Sequence, residues 1–390
     1  MSGRPALLRR GDEPPKASFL ELFFDLAFVF ALRQLSVAFL ADASPAGAAR
    51  TALLLLALWW VWVVTAWYAD WYARANRWVQ ALLVATTLGV TLMSVAVPHV
   101  YAHKAVLFAG AYVAINVGRG SINLFLLRGH RLRRRTLRVF VWISATGVLW
   151  LIGAFWPAGR VPVWAVALAL DYVGPHIGWP TPWLGRTRPE DLKLRGEHVT
   201  ERYQQIFIIA LGELVLGAGL AYTATAMNAA HSAAFLLVFA VSVLIGQLYV
   251  TPAGRNLGTA INERDPSRFG AVTGDLHLLM IAGVLAASVG AEFLITHPTD
   301  QGPAVAVGLV TVGPALFLAG RVALSAAIYR RVSWARLAGL LGVLVAGVTA
   351  YALPLVGVGA VATAVLLGVA VLDRRLGGIE PTRPVNQAGR

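Results

Sequence analysis

The chain has 390 residues, of which 58% are hydrophobic and only 13% are charged, whereas a soluble domain normally carries about a quarter charged residues. Its formal net charge of +14 does not indicate a nucleic-acid partner, because the basic residues lie in short segments between long apolar runs, as in membrane proteins. The absence of cysteine excludes a disulfide framework, a thiol nucleophile and a thiolate metal site.

The long apolar runs predict an all-α integral membrane protein with about twelve transmembrane helices, since roughly 20 apolar residues cross the ~30 Å hydrocarbon core. In chain order the predicted spans are 19–41, 51–69, 78–97, 105–127, 138–156, 161–175, 200–222, 233–251, 270–295, 303–325, 334–352 and 354–372. The N-terminal tail has no apolar signal-peptide region, so it is predicted to be retained.

The Lys and Arg residues predict the orientation of these spans. Of the 33 basic residues, 26 fall in segments on the N-terminal side of the membrane and three (Arg50, Lys104 and Arg160) on the other side. Because cytoplasmic loops are enriched in Lys and Arg, both termini are predicted to be cytoplasmic. The predicted organisation is a cytoplasmic tail (1–18), a first six-helix repeat (19–175), a cytoplasmic linker (176–199), a second six-helix repeat (200–373) and a cytoplasmic tail (374–390).

Two similar segments open the two halves, FLELFFDLAFVFALRQLS at 19–36 and VTERYQQIFIIALGELVL at 199–216. Offsets of 180 and then 202 residues pair Glu21 with Glu201, Asp25 with Gln205, Arg33 with Glu213, Arg119 with Arg321, and Asp171 with Asp373. Because six crossings are an even number, the two repeats are predicted to run parallel. Parallel repeats occur among transporters, which place their substrate sites between repeats.

Spans 1 and 7 also resemble the two signature stretches of the bacterial low-temperature-requirement A (LtrA) family. The residues that carry the resemblance are LELFFDLAFVFALRQLS in span 1 and GEHVTERYQQIFIIALGELVLG in span 7. The resemblance implies a multi-pass protein of the bacterial cytoplasmic (inner) membrane, and it implies no particular reaction or substrate. The chain departs from the family after span 2, where WYADWYARANR contains Asp70 as its single carboxylate.

Charged side chains inside spans are costly, so each is a candidate for function. The coupling or substrate-binding candidates are Glu21, Asp25, Arg33, Arg119, Glu201, Arg202, Gln205, Glu213 and Arg321. Glu21 and Asp25 share one face of span 1. Asp25 and Glu213 are the candidates for reversible protonation, whereas Glu21 and Glu201 lie nearer water, where a helix-capping or interfacial role is expected.

The intramembrane arginines are expected to form ion pairs, because arginine does not readily give up its proton. Asp25 on span 1 is the expected partner of Arg119. Arg33 and Glu213 occupy matched repeat positions with opposite charges, which predicts that they face each other near mid-membrane. That contact would either lock the halves together or respond to protonation of Glu213.

Secondary candidates are Asp70, Asp171, His198, Asp275 and His277. His198 and Glu201 are three residues apart and can chelate a metal, but one such pair without cysteine does not predict a metal site. Asp275 and His277 are two residues apart, so they do not share a helix face. The sequence predicts no metal, no cofactor and no catalytic residue.

Three classes of function fit these features. The first is a proton- or ion-coupled secondary transporter that uses carboxylates on spans 1 and 7; the alternatives are a membrane-embedded enzyme for a lipidic or isoprenoid substrate, and an ion channel. The expected partners are the lipid bilayer and an unknown small molecule or ion, with no nucleic acid. Trp67 and Trp71 are interpreted as an interfacial belt in preference to an aromatic ligand cage. Hydrolase and nucleotide-binding motifs are absent.

Overall fold

The computed structural model describes residues 7–9, 16–188, 194–250, 257–262 and 266–375. Over these ranges the chain forms thirteen α-helices and no β-strand. The helices are α1 (Phe19–Ala41), α2 (Pro45–Trp71), α3 (Arg77–Ala96), α4 (Ala105–Leu126), α5 (Arg133–Phe155), α6 (Arg160–Ile177), α7 (Gly196–Thr223), α8 (Ala229–Tyr249), α9 (Leu257–Asn262), α10 (Pro266–Thr296), α11 (Ala304–Tyr329), α12 (Trp334–Thr349) and α13 (Leu355–Arg375).

Each predicted span coincides with one of the twelve long helices, so the all-α membrane fold is confirmed. Eleven of the described helices are long and apolar enough to cross a membrane. Helix α6 is the exception, because its 18 residues include Arg160, Asp171 and His176. The short helix α9 was not predicted, and it lies within the longer segment that separates the eighth and ninth spans.

Several predicted segments lie partly outside the described residues. These parts are residues 1–6 and 10–15 of the N-terminal tail, 189–193 of the linker, 251–256 and 263–265 between the eighth and ninth spans, and 376–390 of the C-terminal tail.

The chain divides into two compact units. The first comprises residues 1–38, 46–202 and 264–271, and the second comprises 39–45, 203–263 and 272–390. In the first unit, α2 is buried on nearly all its faces, and α3, α4, α5 and α6 pack in sequence order. Because α2 is buried along most of its length, its polar residues need partners inside the protein.

In the second unit, α11 packs on α12, α12 on α13, and α13 on α8. Glycines bring α10 and α11 into backbone contact, since a Cβ atom on Gly283 would lie 2.6 Å from the carbonyl oxygen of Gly313. Arg336 on α12 donates from Nε to Asp373 Oδ2 on α13 at 2.8 Å, and from Nη1 to Ser325 Oγ at 3.0 Å. Small residues and one buried ion pair thus fix these helices.

Large apolar side chains remain exposed along the helices, including Leu88, Phe155, Ile208, Leu236 and Val348. A soluble protein rarely exposes so many. Surrounding lipid accounts for them, because hydrocarbon tails are as apolar as these side chains.

Candidate functional site

The first turn of α1 is fixed by a reciprocal cap. Ser18 donates from its backbone N and from Oγ to Glu21 Oε1 at 3.1 and 2.9 Å, and the backbone N of Glu21 donates to Ser18 Oγ at 3.4 Å. This is the capping box that the sequence Ser-x-x-Glu forms at helix N-termini. The capping role expected for Glu21 is confirmed, yet its side chain is only 1% exposed, so it also serves contacts inside the protein.

Asp25, one turn further along α1, is held by a two-pronged ion pair. Arg202 on α7 donates from Nη1 to Asp25 Oδ2 and from Nη2 to Asp25 Oδ1, both at 2.6 Å. The indole N–H of Trp62 on α2 donates to Asp25 Oδ1 at 2.9 Å, and the Arg202 guanidinium lies 5.8 Å from the ring centre of Trp62. One carboxylate therefore joins three helices.

His198 in the first turn of α7 lies between two carboxylates. Its Nε2 is 2.8 Å from Glu21 Oε2, and its Nδ1 is 3.1 Å from Asp70 Oδ1 at the end of α2. The imidazole is fully buried. Glu201, three residues later, instead accepts a hydrogen bond from the backbone N of Ala17 at 3.3 Å.

Three further arginines contact the same carboxylates. Arg74 Nε lies 3.1 Å from Glu21 Oε1. The backbone N of Arg195 donates to Asp70 Oδ2 at 2.9 Å, and its Nε lies 3.4 Å from Asp70 Oδ1. Arg9 Nη1 is 3.7 Å from that same oxygen. Burial lowers the pKa of the Arg9 guanidinium, and the nearby charges of Arg74 and Arg195 lower it further.

We call these eight residues the ionic cluster: Glu21, Asp25, Asp70, Arg9, Arg74, Arg195, His198 and Arg202. The arginines stay protonated, so His198 and the carboxylates are the positions where a proton can move. A carboxylate can only accept hydrogen bonds. Both ring contacts of His198 are therefore hydrogen bonds only if the imidazole carries two protons or if one of the two carboxyl groups is itself protonated.

The expected pairing of Arg119 with Asp25 is wrong. Arg119 on α4 donates from Nη1 to Thr65 Oγ1 at 2.9 Å and from Nη2 to Asn116 Oδ1 at 2.7 Å, whereas Asp25 binds Arg202. Asn116, one turn before Arg119 on α4, binds one end of the guanidinium, and Thr65 on α2 binds the other.

Asp171 on α6 belongs to another hydrogen-bonded group of the first unit. It accepts from Tyr112 Oη at 2.6 Å and from Thr146 Oγ1 at 2.7 Å. Both of its oxygens are satisfied by neutral donors, so Asp171 ties α4, α5 and α6 together and does not join the ionic cluster.

The interpretation of Trp67 as part of an interfacial belt is also wrong. Trp67 is 8% exposed, and with the half-buried Trp71 it lines a cleft beside Arg119. Hydropathy alone cannot separate these two placements, because an interfacial tryptophan and a buried cavity-lining one both lie near the end of an apolar run.

In the second unit, two uncharged groups hold the ring of His277 on α10. Its Nδ1 lies 2.7 Å from the carbonyl oxygen of Thr273, and its Nε2 lies 3.1 Å from Tyr249 Oη. Since a carbonyl can only accept, Nδ1 is the donor to Thr273, and Nε2 shares a hydrogen bond with the Tyr249 hydroxyl. The ring stacks on Tyr203 with centroids 4.6 Å apart. Asp275 is exposed while His277 is buried, which confirms that they do not share a face.

The remaining candidates are divided between the two units. Glu213 is buried in the second unit, where the Arg321 guanidinium lies 5.8 Å from the ring centre of Tyr249. Gln205 is half-buried in that unit, and Arg33 is half-buried in the first. The contact between Arg33 and Glu213 stays a prediction.

Sequence reasoning missed Arg9, Arg74 and Arg195 as members of the ionic cluster. In the sequence they stand out only as positive charges in predicted cytoplasmic segments. For two of them a local signal exists, because Arg74 follows Asp70 by four residues and Arg195 precedes His198 by three. Arg9 is far from both in the sequence, so no local spacing indicates it.

These features define a multi-pass α-helical membrane protein with a buried ionic cluster where α1, α2 and α7 meet. The chain belongs to the family described as bacterial low temperature requirement A protein (LtrA), whose sequence model matches residues 16–371. It is similar to an uncharacterized protein of Rhizobium meliloti (strain 1021), with 33% identity over 321 residues that cover 80% of this chain and 78% of that protein. No solved structure matches the chain.

Proposed function

We propose that this protein is a proton-coupled secondary transporter of the bacterial cytoplasmic membrane, with both termini in the cytoplasm. The observation that carries the proposal is His198, whose two ring nitrogens lie 2.8 and 3.1 Å from oxygens of Glu21 and Asp70. Histidine is the side chain most often used to carry a proton at physiological pH, and here a carboxylate is within reach on either side.

Loss of one proton from this site changes the contacts between helices. When His198 carries two protons, its charge attracts both Glu21 on α1 and Asp70 on α2. A proton that moves from His198 to Glu21 or Asp70 keeps both hydrogen bonds, because the protonated carboxyl group then donates to the ring nitrogen. When the proton leaves the site altogether, a nitrogen lone pair faces an ionised carboxylate oxygen, which is repulsive, so one of the two contacts opens. Because the three residues lie on three helices, protonation of this site is linked to helix movement, as a coupled transporter requires.

The pair of Asp25 with Arg202 serves a different purpose in this proposal. Its bidentate geometry and the added Trp62 hydrogen bond stabilise the ionised carboxylate. Asp25 therefore holds α1 against α7 while the proton moves one turn away. Arg33 and Glu213 remain a proposed second pair that responds to protonation.

Sequence features support both the orientation and the transporter class. The distribution of Lys and Arg favours cytoplasmic termini, and the paired segments at 19–36 and 199–216 favour two parallel six-helix repeats. Intramembrane charges in transporters lie on the pathway of the substrate or of the coupling ion.

The proposal is tested with the purified full chain. Tryptophan emission is recorded as the pH is stepped, since Trp62 contacts both members of the Asp25–Arg202 pair. The wild type is expected to show a reversible pH-dependent change, and His198→Gln, which keeps the hydrogen-bonding shape but cannot carry the proton, is expected to lose it. His130→Gln is the matched control, because His130 is exposed in the segment after α4.

Transport itself is tested in liposomes loaded with a pH-sensitive dye. External addition of small organic anions, cations and neutral solutes is expected to move protons for at least one class, and His198→Gln is expected to abolish that movement. Proton movement of equal size in His198→Gln, or no solute-dependent movement with any class, contradicts the proposal.

A further inference from the structure

A cleft in the first unit lies among α2, α4 and α5. It encloses about 650 Å³ of empty space, its open mouth included. Trp60, Trp67 and Tyr68 line it from α2, and Arg119 and Asn123 line it from α4. Its walls are mostly apolar with a few polar side chains, which is the usual form of small-molecule sites.

Arg119 is a buried charge in this cleft with neutral partners. The residue is 5% exposed, and its guanidinium donates to Thr65 and Asn116. Throughout the described part of the chain, no carboxylate forms an ion pair with it. A buried cation without an opposite charge is costly, so an anion at this position would offset a cost that the protein alone leaves uncompensated.

Four more buried polar atoms of the cleft have no hydrogen-bond partner among the described residues. They are Trp60 Nε1, Trp67 Nε1, Tyr68 Oη and Asn123 Oδ1. Native proteins leave few buried polar atoms unsatisfied, and each such atom calls for an explanation. Three of the four carry an N–H or O–H donor, so the missing partner is rich in acceptor oxygens.

We propose that this cleft binds a small organic anion, namely a carboxylate carried on a planar ring or a short apolar body. The carboxylate lies against Arg119 and accepts from the indole N–H groups and the Tyr68 hydroxyl. The aromatic walls, which include Trp71 and Trp179, cover the apolar body. Arginine suits this task because its planar fork matches a carboxylate.

This site is distinct from the ionic cluster, where each carboxylate already has a cationic partner. The binding proposal does not rest on proton-coupled transport. Equilibrium binding tests it whether or not the ligand crosses the membrane, and its failure leaves the role of His198 untouched.

The experiment measures binding of benzoate to the full chain purified in a non-ionic detergent, by titration calorimetry and by quenching of tryptophan emission. Benzamide is the neutral probe of the same shape. The expected result is saturable benzoate binding, with benzamide at least tenfold weaker. Arg119→Gln keeps a polar side chain with an amide donor but removes the charge, so it is expected to lose benzoate binding by at least tenfold.

Two tryptophan variants complete the design. Trp67→Phe keeps the aromatic wall and removes one orphaned N–H, so benzoate binding is expected to weaken severalfold. Trp183→Phe is the matched control, because Trp183 is fully exposed and lies outside the cleft; its affinity is expected to equal that of the wild type.

Equal affinity for benzoate and benzamide, or unchanged affinity in Arg119→Gln, overturns the proposal. Displacement of benzoate by chloride at matching concentrations also overturns it, since the aromatic walls would then contribute nothing. If Arg119→Gln does not fold, the proposal is tested with Trp67→Phe and Tyr68→Phe. Benzoate affinity equal to that of the wild type in both variants rejects the site.

Discussion

At the residue scale, the chain buries charge in two different ways. In the ionic cluster every carboxylate is matched by cations from neighbouring elements, and Asp25 with Arg202 is the tightest match. Around Arg119 the partners are a hydroxyl and an amide. The first arrangement satisfies its charges within the protein, whereas the second leaves a charge for a ligand.

Loss of Arg202 should therefore be costly. Arg202→Ala leaves Asp25 as an uncompensated buried carboxylate beside Glu21, and removal of one member of a buried pair costs roughly 3–5 kcal/mol. Asp25→Asn added to Arg202→Ala removes the stranded charge, so it should recover part of the stability. The measurement is the unfolding free energy of the purified protein in detergent, compared by a double-mutant cycle.

Arg128→Ala is the control for that cycle. Arg128 is exposed after α4 and stacks over Phe125, and exposed substitutions of this kind stay within about 0.5 kcal/mol. If the losses of unfolding free energy from Arg202→Ala and Asp25→Asn are additive, the contact between these two side chains contributes no coupling energy.

The residues of the site could be predicted from the sequence more readily than their partners. Glu21, Asp25, His198 and Arg202 were candidates because polar groups near apolar spans are expensive. Which of them pair could not be predicted, because Asp25 and Arg202 are 177 positions apart in the chain. No local pattern encodes which of several arginines meets a given carboxylate.

At the element scale, hydropathy predicted the long helices almost completely, since crossing a bilayer fixes both length and composition. The sequence does not predict helix α9, because six residues (Leu257–Asn262) are too few to show a helical hydropathy pattern. Contacts between helices were not predictable either, because they depend on where glycines let two backbones approach.

Gly313 on α11 gives the sharpest test of such a contact. A Cβ atom there would lie 2.5 Å from the backbone N of Ala287 on α10, and backbone cannot move aside as a side chain can. Gly313→Ala should lower stability by roughly 1–3 kcal/mol, the usual cost of overpacking. Thermal unfolding in detergent measures the loss.

Gly308 on the same helix is the matched control. A Cβ atom at Gly308 meets nothing within 4 Å, so Gly308→Ala should be neutral or slightly stabilising, because alanine favours a helix by about 0.5–1 kcal/mol over glycine. Equal unfolding temperatures for the two alanine variants would show that α10 and α11 are not in backbone contact.

At the scale of the whole molecule, α6 decides the number of membrane crossings. This helix of 18 residues, Arg160–Ile177, is the long helix among the described residues that is not apolar enough along its length to qualify as a membrane span. If it failed to cross, everything after it would change sides. Fourteen of the 26 basic residues assigned to the cytoplasm would then lie outside, against the observed preference of membrane proteins.

Reporter fusions settle the crossing number, because α6 lies between the tested positions. Fusions at Arg133 and Arg331 should both report cytoplasm, since four and ten crossings precede them, and one at His297 should report the outside after nine. A fusion at Gly159, which precedes α6, should report the outside in either case and is the control. If α6 does not cross, Arg133 stays cytoplasmic while Arg331 moves outside and His297 moves inside. That pattern would also remove the parallel repeat, because five crossings in the first half would invert the second half relative to it.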